Sequence, residues 1–342
     1  MPVLLPLGLL VVLCLWGCEK QSDTVSLTVP PPIIPIAAGP YPEQPADPAW
    51  LNMVFLGAGG VHLQNAGQSV LADPFFSNPP IKDWILLRDL VVREDVIDRY
   101  LPATNDLDAI LVAHAHHDHA MDVPYIAAQV DSTVKVYGSE TLRNSLLSVI
   151  DPGRLVALNG QAGHWVAIND SLRIMPLLSG HAPHLLGRVF NSDRITQPLA
   201  QSPRTVMDWQ SGQTLSFVLD FLASGQTRFR VYYQSSAADP MEGYPPHGLP
   251  EDGKPVDLAL LGVANHNRLQ DYPVSLLRVL QPRQVVLLHW DVFWDDYSQT
   301  VTQPAPGLDL KALVRKIETV LPADVPVYLP GRGAVLSLQE SL

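Results

Sequence analysis

Cysteine is scarce in this chain of 342 residues: there are two, Cys14 and Cys18, and both stand near the start. No thiolate is therefore available farther along the chain, so a metal site there has to use histidine and carboxylate ligands. The sequence also lacks a Gly-x-Ser-x-Gly nucleophile elbow and a phosphate-cradling loop ending in Gly-Lys-Ser/Thr. These absences leave little support for a nucleophile-elbow serine, a cysteine nucleophile or a P-loop as the basis of catalysis.

Positive charge is scarce as well. The chain has 22 Lys and Arg against 34 Asp and Glu, a formal net charge of −12, and no long basic run. Nucleic acid would be repelled, and the basic stripe that could overcome this repulsion is missing. A composition of 47% hydrophobic and 16% charged residues is typical of a well-buried globular core.

The start of the chain resembles the signal of a lipoprotein. Residues 3–17 are almost wholly apolar and lead into Leu15-Trp16-Gly17-Cys18, which matches a lipobox, although no Lys or Arg precedes it. This apolar stretch is too short to span a membrane comfortably. We predict a signal peptide at 1–17, a lipid anchor on Cys18, and a location in the cell envelope facing the periplasm or exterior. A cleaved secretory signal and an uncleaved anchor are the alternatives.

Proline is concentrated behind this signal, with eight prolines between Pro30 and Pro48. Such a stretch cannot form a helix or a central strand and favours extended polyproline geometry. We predict residues 18–49 to be a spacer, with an irregular arm packed along the domain as the alternative. Short strands and interspersed helices without a second linker indicate one α/β domain at residues 50–342.

The most informative motif is the run His114-Ala115-His116-His117-Asp118-His119. It follows an apolar run at 109–113 that is typical of a buried strand, so the motif is expected in the loop at the strand's carboxyl end. Packing imidazoles and a carboxylate so closely gains nothing for a core. The run therefore indicates a metal site.

Three other predicted strands also end in polar side chains. His181 follows residues 177–180, Ser235 and Ser236 follow 231–234, and His289 follows 285–288. An isolated histidine at a strand end is usually only a half-buried polar residue. Because the first cluster needs partners from other strand ends, the joint occurrence makes His181 and His289 candidate ligands.

The pattern His-x-His-x-Asp-His with two later histidines resembles the metallo-β-lactamase superfamily. The resemblance implies a four-layer αββα sandwich with two mixed β-sheets and metals at one edge. It also implies two ligand sets, His114, His116 and His181 for one Zn²⁺, and Asp118, His119 and His289 for a second. Ala72-Asp73-Pro74 and His289-Trp290 are most similar to the branch of N-acyl-phosphatidylethanolamine phospholipase D and ascorbate-lactone hydrolases.

The chain departs from this superfamily at the residue that normally bridges both metals. Most of these hydrolases have an Asp where this chain has Ser235 or Ser236, and serine is a poor ligand unless it is deprotonated. The second metal is therefore expected to bind less tightly, and the site carries one negative charge less. A unit charge weighs heavily in a low-dielectric cleft, so we expect a preference for an anionic group that bridges the metals.

Neighbouring residues are candidates for supporting roles. Asp73 either orients a metal-bound histidine through its second ring nitrogen or only begins a turn before Pro74. His184 is a candidate substrate contact, whereas His117 is expected to point away from the metals. Three arginines after His181 are candidates for receiving an anionic substrate; these are Arg188, Arg194 and Arg204.

These residues predict a metal-dependent hydrolase with one or two Zn²⁺ per chain, with other divalent metals as alternatives. A metal-bound hydroxide would attack a phosphodiester, a lactone or another ester or amide, with Asp118 as ligand and orienter. The substrate is expected to be a small or lipid-derived molecule. A β-lactam hydrolase and a non-catalytic, lipid-anchored metal-binding protein are the alternatives, and the oligomeric state is left open.

Overall fold

Two mixed β-sheets form the centre of the fold in the computed structural model, which describes residues 32–38, 47–184, 187–246, 253–299 and 303–340. The predicted signal peptide and Cys18 lie outside the described residues. None of the helices in the described ranges is long and apolar enough to cross a membrane. Helices cover the two stacked sheets, which confirms the predicted α/β class and the αββα layering.

Eight strands of the described residues form the first sheet. They are β1 (Ile33–Ile36), β8 (Val166–Asn169), β9 (Leu172–Ser179), β10 (Thr214–Ala223), β11 (Gln226–Gln234), β12 (Leu258–Gly262), β13 (Val285–Leu288) and β14 (Val327–Pro330). Their order is β1-β14-β13-β12-β11-β10-β9-β8. Pairs from β1 to β11 are parallel, and pairs from β11 to β8 are antiparallel. The carboxyl ends of β9, β11, β12 and β13 therefore meet at one edge.

Seven strands of the described part of the chain form the second sheet. They are β2 (Trp50–Gly57), β3 (Gly60–Asn65), β4 (Gln68–Ala72), β5 (Leu107–Leu111), β6 (Lys135–Gly138), β7 (Leu155–Ala157) and β15 (Val335–Gln339). Their order is β15-β2-β3-β4-β5-β6-β7. The pairs from β15 to β4 are antiparallel and those from β4 to β7 are parallel, so β4 and β5 also end side by side.

The helices of the described residues are short. They are α1 (Ile81–Ile85), α2 (Glu94–Tyr100), α3 (His117–Ala120), α4 (Val123–Gln129), α5 (Glu140–Leu146), α6 (Val274–Leu280) and α7 (Leu310–Glu318), with 3₁₀ turns at Pro152–Arg154, Asn159–Gln161 and His266–Arg268. Ser139 caps α5, because its Oγ accepts a hydrogen bond of 3.2 Å from the N–H of Leu142.

The alternation of side chains along β2 explains the layers. Met53 and Phe55 belong to the core between the sheets, together with Phe217 of β10. Val54 and Leu56 belong to a second core, which the helices on the outer face of this sheet close. Because successive strand side chains point to opposite faces, a strand that is apolar throughout is buried on both sides.

Part of the stretch predicted as a spacer belongs to the fold. Ile33–Ile36 pairs in parallel with β14, with Ile33 opposite Val327, and Ile33 is buried. This segment matches the alternative of an arm packed along the domain, as a regular strand. Pro35 is tolerated because β1 is the outermost strand, where a missing N–H need not interrupt the ladder.

Candidate metal centre

The histidine motif leaves β5 as a loop and continues into α3. The N–H of Ala113 donates to Oδ1 of Asp73 at 2.7 Å, and the N–H of Ala115 donates to the carbonyl of Ser211 at 3.1 Å. All residues from His114 to His119 are buried. The loop is therefore fixed from two sides, and its side chains are directed into the protein instead of into solvent.

The first predicted ligand set comes together. His114, His116 and His181 each offer a ring nitrogen, and these atoms lie within 4.8 Å of one another. The ring centroids of His114 and His116 are 4.8 Å apart, and His181 lies 4.9 Å from His114 and 5.1 Å from His116. We call these residues the first triad.

The second predicted set converges in the same way. Asp118, His119 and His289 have ligand atoms within 4.8 Å of one another. Oδ2 of Asp118 lies 3.2 Å from Nε2 of His289 and 3.4 Å from Nε2 of His119. This second triad adjoins the first, because the rings of His114 and His119 are 4.0 Å apart.

Asp73 lies behind the second triad. Its Oδ2 accepts hydrogen bonds of 2.7 Å from Nδ1 of His119 and from the hydroxyl of Tyr233, while Oδ1 accepts from Ala113. Asp73, His114 and His119 also form a third group with metal-ligand spacing. The three hydrogen bonds already use both carboxylate oxygens, so Asp73 fits the orienting role, in which Nε2 of His119 is left for a metal.

Backbone carbonyls orient two of the other rings. Nε2 of His116 donates to the carbonyls of Phe190 at 3.1 Å and Asn191 at 3.2 Å, so Nδ1 is its metal-facing atom. Nδ1 of His181 donates to the carbonyl of Ala182 at 2.8 Å, which leaves Nε2. A carbonyl cannot donate, and each hydrogen bond therefore fixes the tautomer.

The unpaired polar atoms of the two triads fit a metal. Both ring nitrogens of His114, Nε2 of His119 and Nδ1 of His289 are buried without a hydrogen-bond partner among the described residues. Leaving such atoms unpaired costs about 1–3 kcal/mol each. A divalent cation bound by one nitrogen of each ring would offset part of that cost, and three imidazoles or two imidazoles with a carboxylate are donor sets that Zn²⁺ accepts.

Burial also sets the protonation states. It lowers the pKa of His114 and His181 well below the usual value and the pKa of His116 to about 3, so these rings are neutral at pH 7. Burial alone would raise the pKa of Asp118, but the neighbouring His119 outweighs it and holds this pKa well below its usual range. Metal ligands have to be deprotonated, and these four already are.

His119 differs from the other ligands. Burial alone would lower its pKa, but the charges of Asp118 and Asp73 raise the pKa to about 10. Without a metal, His119 therefore holds a proton between two carboxylates. Metal binding at the second triad has to displace that proton.

Ser235 stands beside this triad without supplying a carboxylate. It is fully buried, and its Oγ has no hydrogen-bond partner among the described residues. Gly59 packs closely against both Ser235 and His119. A Cβ at position 59 would lie only 2.9 Å from Cβ of Ser235 and 2.9 Å from Cε1 of His119. Oγ of Ser236 donates to the carbonyl of Ala237 at 3.3 Å. The nearby Asp239 is exposed.

Two residues at the centre have an uncommon backbone conformation. His289 has φ 52° and Ala58 has φ 47°, a region that non-glycine residues rarely occupy. The N–H of His289 donates to the carbonyl of Ala58 at 2.7 Å, and the N–H of Ala58 donates to Oδ1 of Asp291 at 3.0 Å. These bonds hold the strain that positions His289 at its strand end.

A cavity of about 190 Å³ opens onto both triads. The described residues lining it are Trp84, His116, His117, Asp118, His181, His184, Phe190, Asn191, Val206, Ser235, Ser236, Ala264, Asn265, His289 and Phe293. His184, the candidate substrate contact, stacks on His181 with centroids 4.6 Å apart and accepts a hydrogen bond from the N–H of Phe190. Its position in the cavity wall suits that role.

The three candidate arginines are not at the cavity. Arg188 and Arg194 are exposed, and Arg194 donates to Oε1 of Gln213 at 3.1 Å. Arg204 forms an exposed ion pair with Asp89. The stretch after His181 folds so that it presents Phe190, Asn191 and Val206 to the cavity, whereas the three arginines are exposed loop residues that do not line it.

Two residues that contribute to the site are not among the candidates that the sequence predicts. Tyr233 precedes Ser235 by two positions and so shares its strand face, which was an available signal. Trp84 lies in α1, thirty residues before the motif, in a segment without a distinctive pattern. Only the fold brings it to the cavity.

Comparison with known proteins agrees with this geometry. The β-lactamase superfamily domain matches residues 68–290, well over half of the chain, so the chain belongs to the β-lactamase superfamily. A metal-dependent hydrolase of Cupriavidus taiwanensis is 23% identical over 270 residues, which are 75% of this chain and 80% of that protein. The predicted superfamily membership is confirmed.

Two solved structures are similar to this chain. The diiron β-hydroxylase CmlA of Streptomyces venezuelae superposes with a TM-score of 0.51 at 12% identity, over 88% of this chain and 55% of that chain. Igni18, a metallo hydrolase of Ignicoccus hospitalis, has a TM-score of 0.49 at 14% identity, over 85% of this chain and all of that one (100%).

Proposed function

We propose that this chain is a metal-dependent hydrolase that cleaves an ester, a lactone, an amide or a phosphodiester, with zinc as its metal. The proposal rests on one observation: two buried triads converge, each with ligand atoms within 4.8 Å of one another. The imidazole-rich donor set suits Zn²⁺. Superfamily membership and the similarity to the metal-dependent hydrolase of Cupriavidus taiwanensis support the same activity.

A divalent metal bound here supplies a Lewis acid and makes water a nucleophile near neutral pH. The chain decides where that chemistry takes place. Asp73 holds His119, the carbonyls of Phe190 and Asn191 hold His116, and the carbonyl of Ala182 holds His181. The ligands are thus positioned before metal or substrate arrives, which favours catalysis because little reorganisation is needed.

Asp118 has a second task in this proposal. Its Oδ2 faces His119 and His289, whereas its Oδ1 lies 3.7 Å from Nδ1 of His117, beyond hydrogen-bond distance. One oxygen thus serves the second triad, and the other is free to accept a hydrogen bond from the attacking water. A general-base or orienting carboxylate has to lie within such reach of its proton.

The absence of a carboxylate at Ser235 and Ser236 leaves Asp118 as the acidic member of the two triads. We expect metal-loaded protein to bind inorganic phosphate, since an anion offsets the charge that a bridging Asp would otherwise compensate. The resemblance of Asp73-Pro74 and His289-Trp290 to the phospholipase D and lactone-hydrolase branch agrees with phosphodiester and lactone substrates.

The test is turnover of a small panel by zinc-loaded protein: 4-nitrophenyl acetate, bis(4-nitrophenyl) phosphate, γ-butyrolactone and a chromogenic cephalosporin. We expect cleavage of at least one of the first three, loss on chelation, and recovery on adding Zn²⁺. His181→Ala and His289→Ala each remove one triad and should lower turnover by about 100-fold or more. The exposed His164 provides His164→Ala as the matched control.

Two other outcomes would replace the proposal. Turnover of the cephalosporin alone would assign β-lactam hydrolysis. Protein that holds its full metal complement and cleaves none of the four substrates would support the non-catalytic, metal-binding alternative.

We also propose that Cys18 carries a lipid after removal of residues 1–17, so that the protein is anchored in the cell envelope. Residues 18–32 would then connect the lipid to β1 at Ile33, a length of at most roughly 50 Å. Mass spectrometry of the membrane fraction should show a diacylglyceryl modification on the first residue, and Cys18→Ala should abolish it. A soluble wild-type protein with an unmodified N-terminus would contradict this proposal.

A further inference from the structure

One wall of the cavity is built from rings. Trp84 and Phe293 line the cavity with ring centroids 5.5 Å apart, and His117 packs edge-on against Trp84 at 4.6 Å. We call these three residues the aromatic wall. Phe293 also contacts the ring of His289 at 5.0 Å. The aromatic wall therefore adjoins the second triad, within reach of a substituent next to the scissile bond.

The aromatic wall contains polar atoms that nothing in the described chain satisfies. Nε2 of His117 and Nε1 of Trp84 are buried without a hydrogen-bond partner among the described residues, and His117 is only 6% exposed. Because these nitrogens are enclosed, the wall presents ring surfaces to the cavity instead of these polar groups. An aromatic occupant matches such a surface better than a carboxylate, for which the wall has no cation.

The apolar surface continues to the outside of the protein. Phe190 lines the cavity and is 46% exposed, and Met207, next to the cavity-lining Val206, is 49% exposed. Leu86 and Leu87, which follow Trp84, are 57% and 55% exposed. Exposed apolar residues grouped beside a cavity are typical of a binding site.

The segments that carry this surface adjoin each other. The N–H of Leu90 donates to the carbonyl of Arg204 at 2.7 Å, and Arg204 pairs with Asp89. The two stretches that supply Trp84 and Val206 are thus tied together, and the apolar surface is held in place from both sides.

Cations are missing from the cavity lining. Among the described lining residues there is no Lys or Arg, and Asp118 is the acidic one. Arg268 is exposed and is not part of the lining, and its Nε–H donates to Oδ1 of the lining residue Asn265 at 3.2 Å. An anionic substituent would thus find no direct partner in this lining, apart from the metals.

We propose that Trp84, His117 and Phe293 are specificity-determining residues that receive an aromatic, uncharged substituent of the substrate beside the scissile bond. This inference rests on the proposed hydrolase function and names its substrate class: esters, lactones or amides with an aryl group on the acyl side. Burying such a group against three rings removes apolar surface from water.

Binding of three hydroxamates to zinc-loaded protein, measured by isothermal titration calorimetry, tests the proposal without turnover. Acetohydroxamate, phenylacetohydroxamate and succinic monohydroxamate share the metal-binding group and differ in a methyl, a benzyl and a carboxyethyl substituent. We expect phenylacetohydroxamate to bind at least about tenfold more tightly than acetohydroxamate. Succinic monohydroxamate should show no such gain.

Variants of the aromatic wall provide the second arm. Phe293→Ala and Trp84→Ala should reduce the preference for the phenyl compound to about twofold or less, while acetohydroxamate binding persists and reports an intact metal centre. Trp50→Ala is the matched control, because Trp50 begins β2 at the end of that strand remote from the site. It should keep the full preference.

The outcomes separate this inference from the proposed function. No binding of acetohydroxamate to metal-loaded wild-type protein would contradict the metal centre itself. Binding of acetohydroxamate without a phenyl preference, tighter binding of succinic monohydroxamate, or a preference that survives both substitutions would overturn the aromatic specificity alone.

Discussion

Oδ2 of Asp73 lies 2.7 Å from Nδ1 of His119, although forty-six positions separate the two residues in the chain. The same oxygen accepts the hydroxyl of Tyr233, and Oδ1 accepts the N–H of Ala113. Asp73 thus ties the ends of β4, β5 and β11 together behind the second triad. These three bonds support the orienting role that we propose for Asp73.

Asp73→Asn should weaken zinc binding at the second triad by about 10- to 100-fold, a usual consequence of losing the partner of a metal-bound histidine. The side-chain amide would place its N–H groups opposite groups that now donate to Asp73, such as Nδ1 of His119. The hydrogen bond that orients His119 would therefore be lost. Competition with a chromophoric chelator measures this affinity. Tyr233→Phe keeps the carboxylate and should have a smaller effect; equal affinities for Asp73→Asn and wild type would contradict the role.

Ser235→Asp should raise the affinity of the weaker metal site. The new carboxylate would stand beside His119, where Oγ of Ser235 is now buried without a partner, and would restore the negative charge that the superfamily usually places there. We expect tighter binding of the second zinc in equilibrium dialysis and weaker binding of phosphate. Ser236→Asp is the neighbouring control, and it identifies which serine holds the bridging position. Unchanged zinc and phosphate affinities in both variants would refute the charge argument.

His62 should contribute to acid sensitivity. Burial lowers its pKa to about 3, below the value of about 6.5 in an unfolded chain. A depressed pKa means that the stabilising contribution is present above pH 6.5 and is lost as the pH falls towards 3. At pH 5 the loss is about 2 kcal/mol.

The measurement for His62 is urea unfolding in chelator at pH 7 and pH 5. His62→Gln, which retains a partner for the hydroxyl of Ser69, should lose less stability than wild type between these pH values, by about 2 kcal/mol. The same pH dependence in both proteins would show that His62 is not the sensitive group. The metal ligands affect both proteins alike, because both are measured without metal. The difference in pH dependence between the two proteins therefore reports on His62.

The local sequence pattern was sufficient to predict the candidate metal ligands. An apolar run followed by closely spaced histidines located the strand-end loop that holds His114 to His119, and the same logic applied to His181 and His289. Regular strands also matched their predicted positions closely, because their buried faces leave a continuous apolar pattern.

The other features of the site and fold depend on long-range packing, which a local sequence pattern does not predict. Trp84 reaches the cavity from a five-residue helix, and the carbonyls that hold His116 come from Phe190 and Asn191, in a stretch without regular structure. The arginines of that stretch point elsewhere because the loop's apolar residues face the cavity. β1 could not be recognised in a proline-rich stretch, since an edge strand tolerates residues that a central strand excludes.

Metal content tests the central claim most directly. Wild-type protein, His181→Ala, His289→Ala and the double variant should be dialysed against buffered Zn²⁺ and analysed by mass spectrometry of the elements. The two-triad account predicts about two zinc ions per chain for wild type, about one for each single variant and almost none for the double variant, with His164→Ala unchanged. A wild-type protein that retains no metal, or a double variant that retains the full complement, would contradict it.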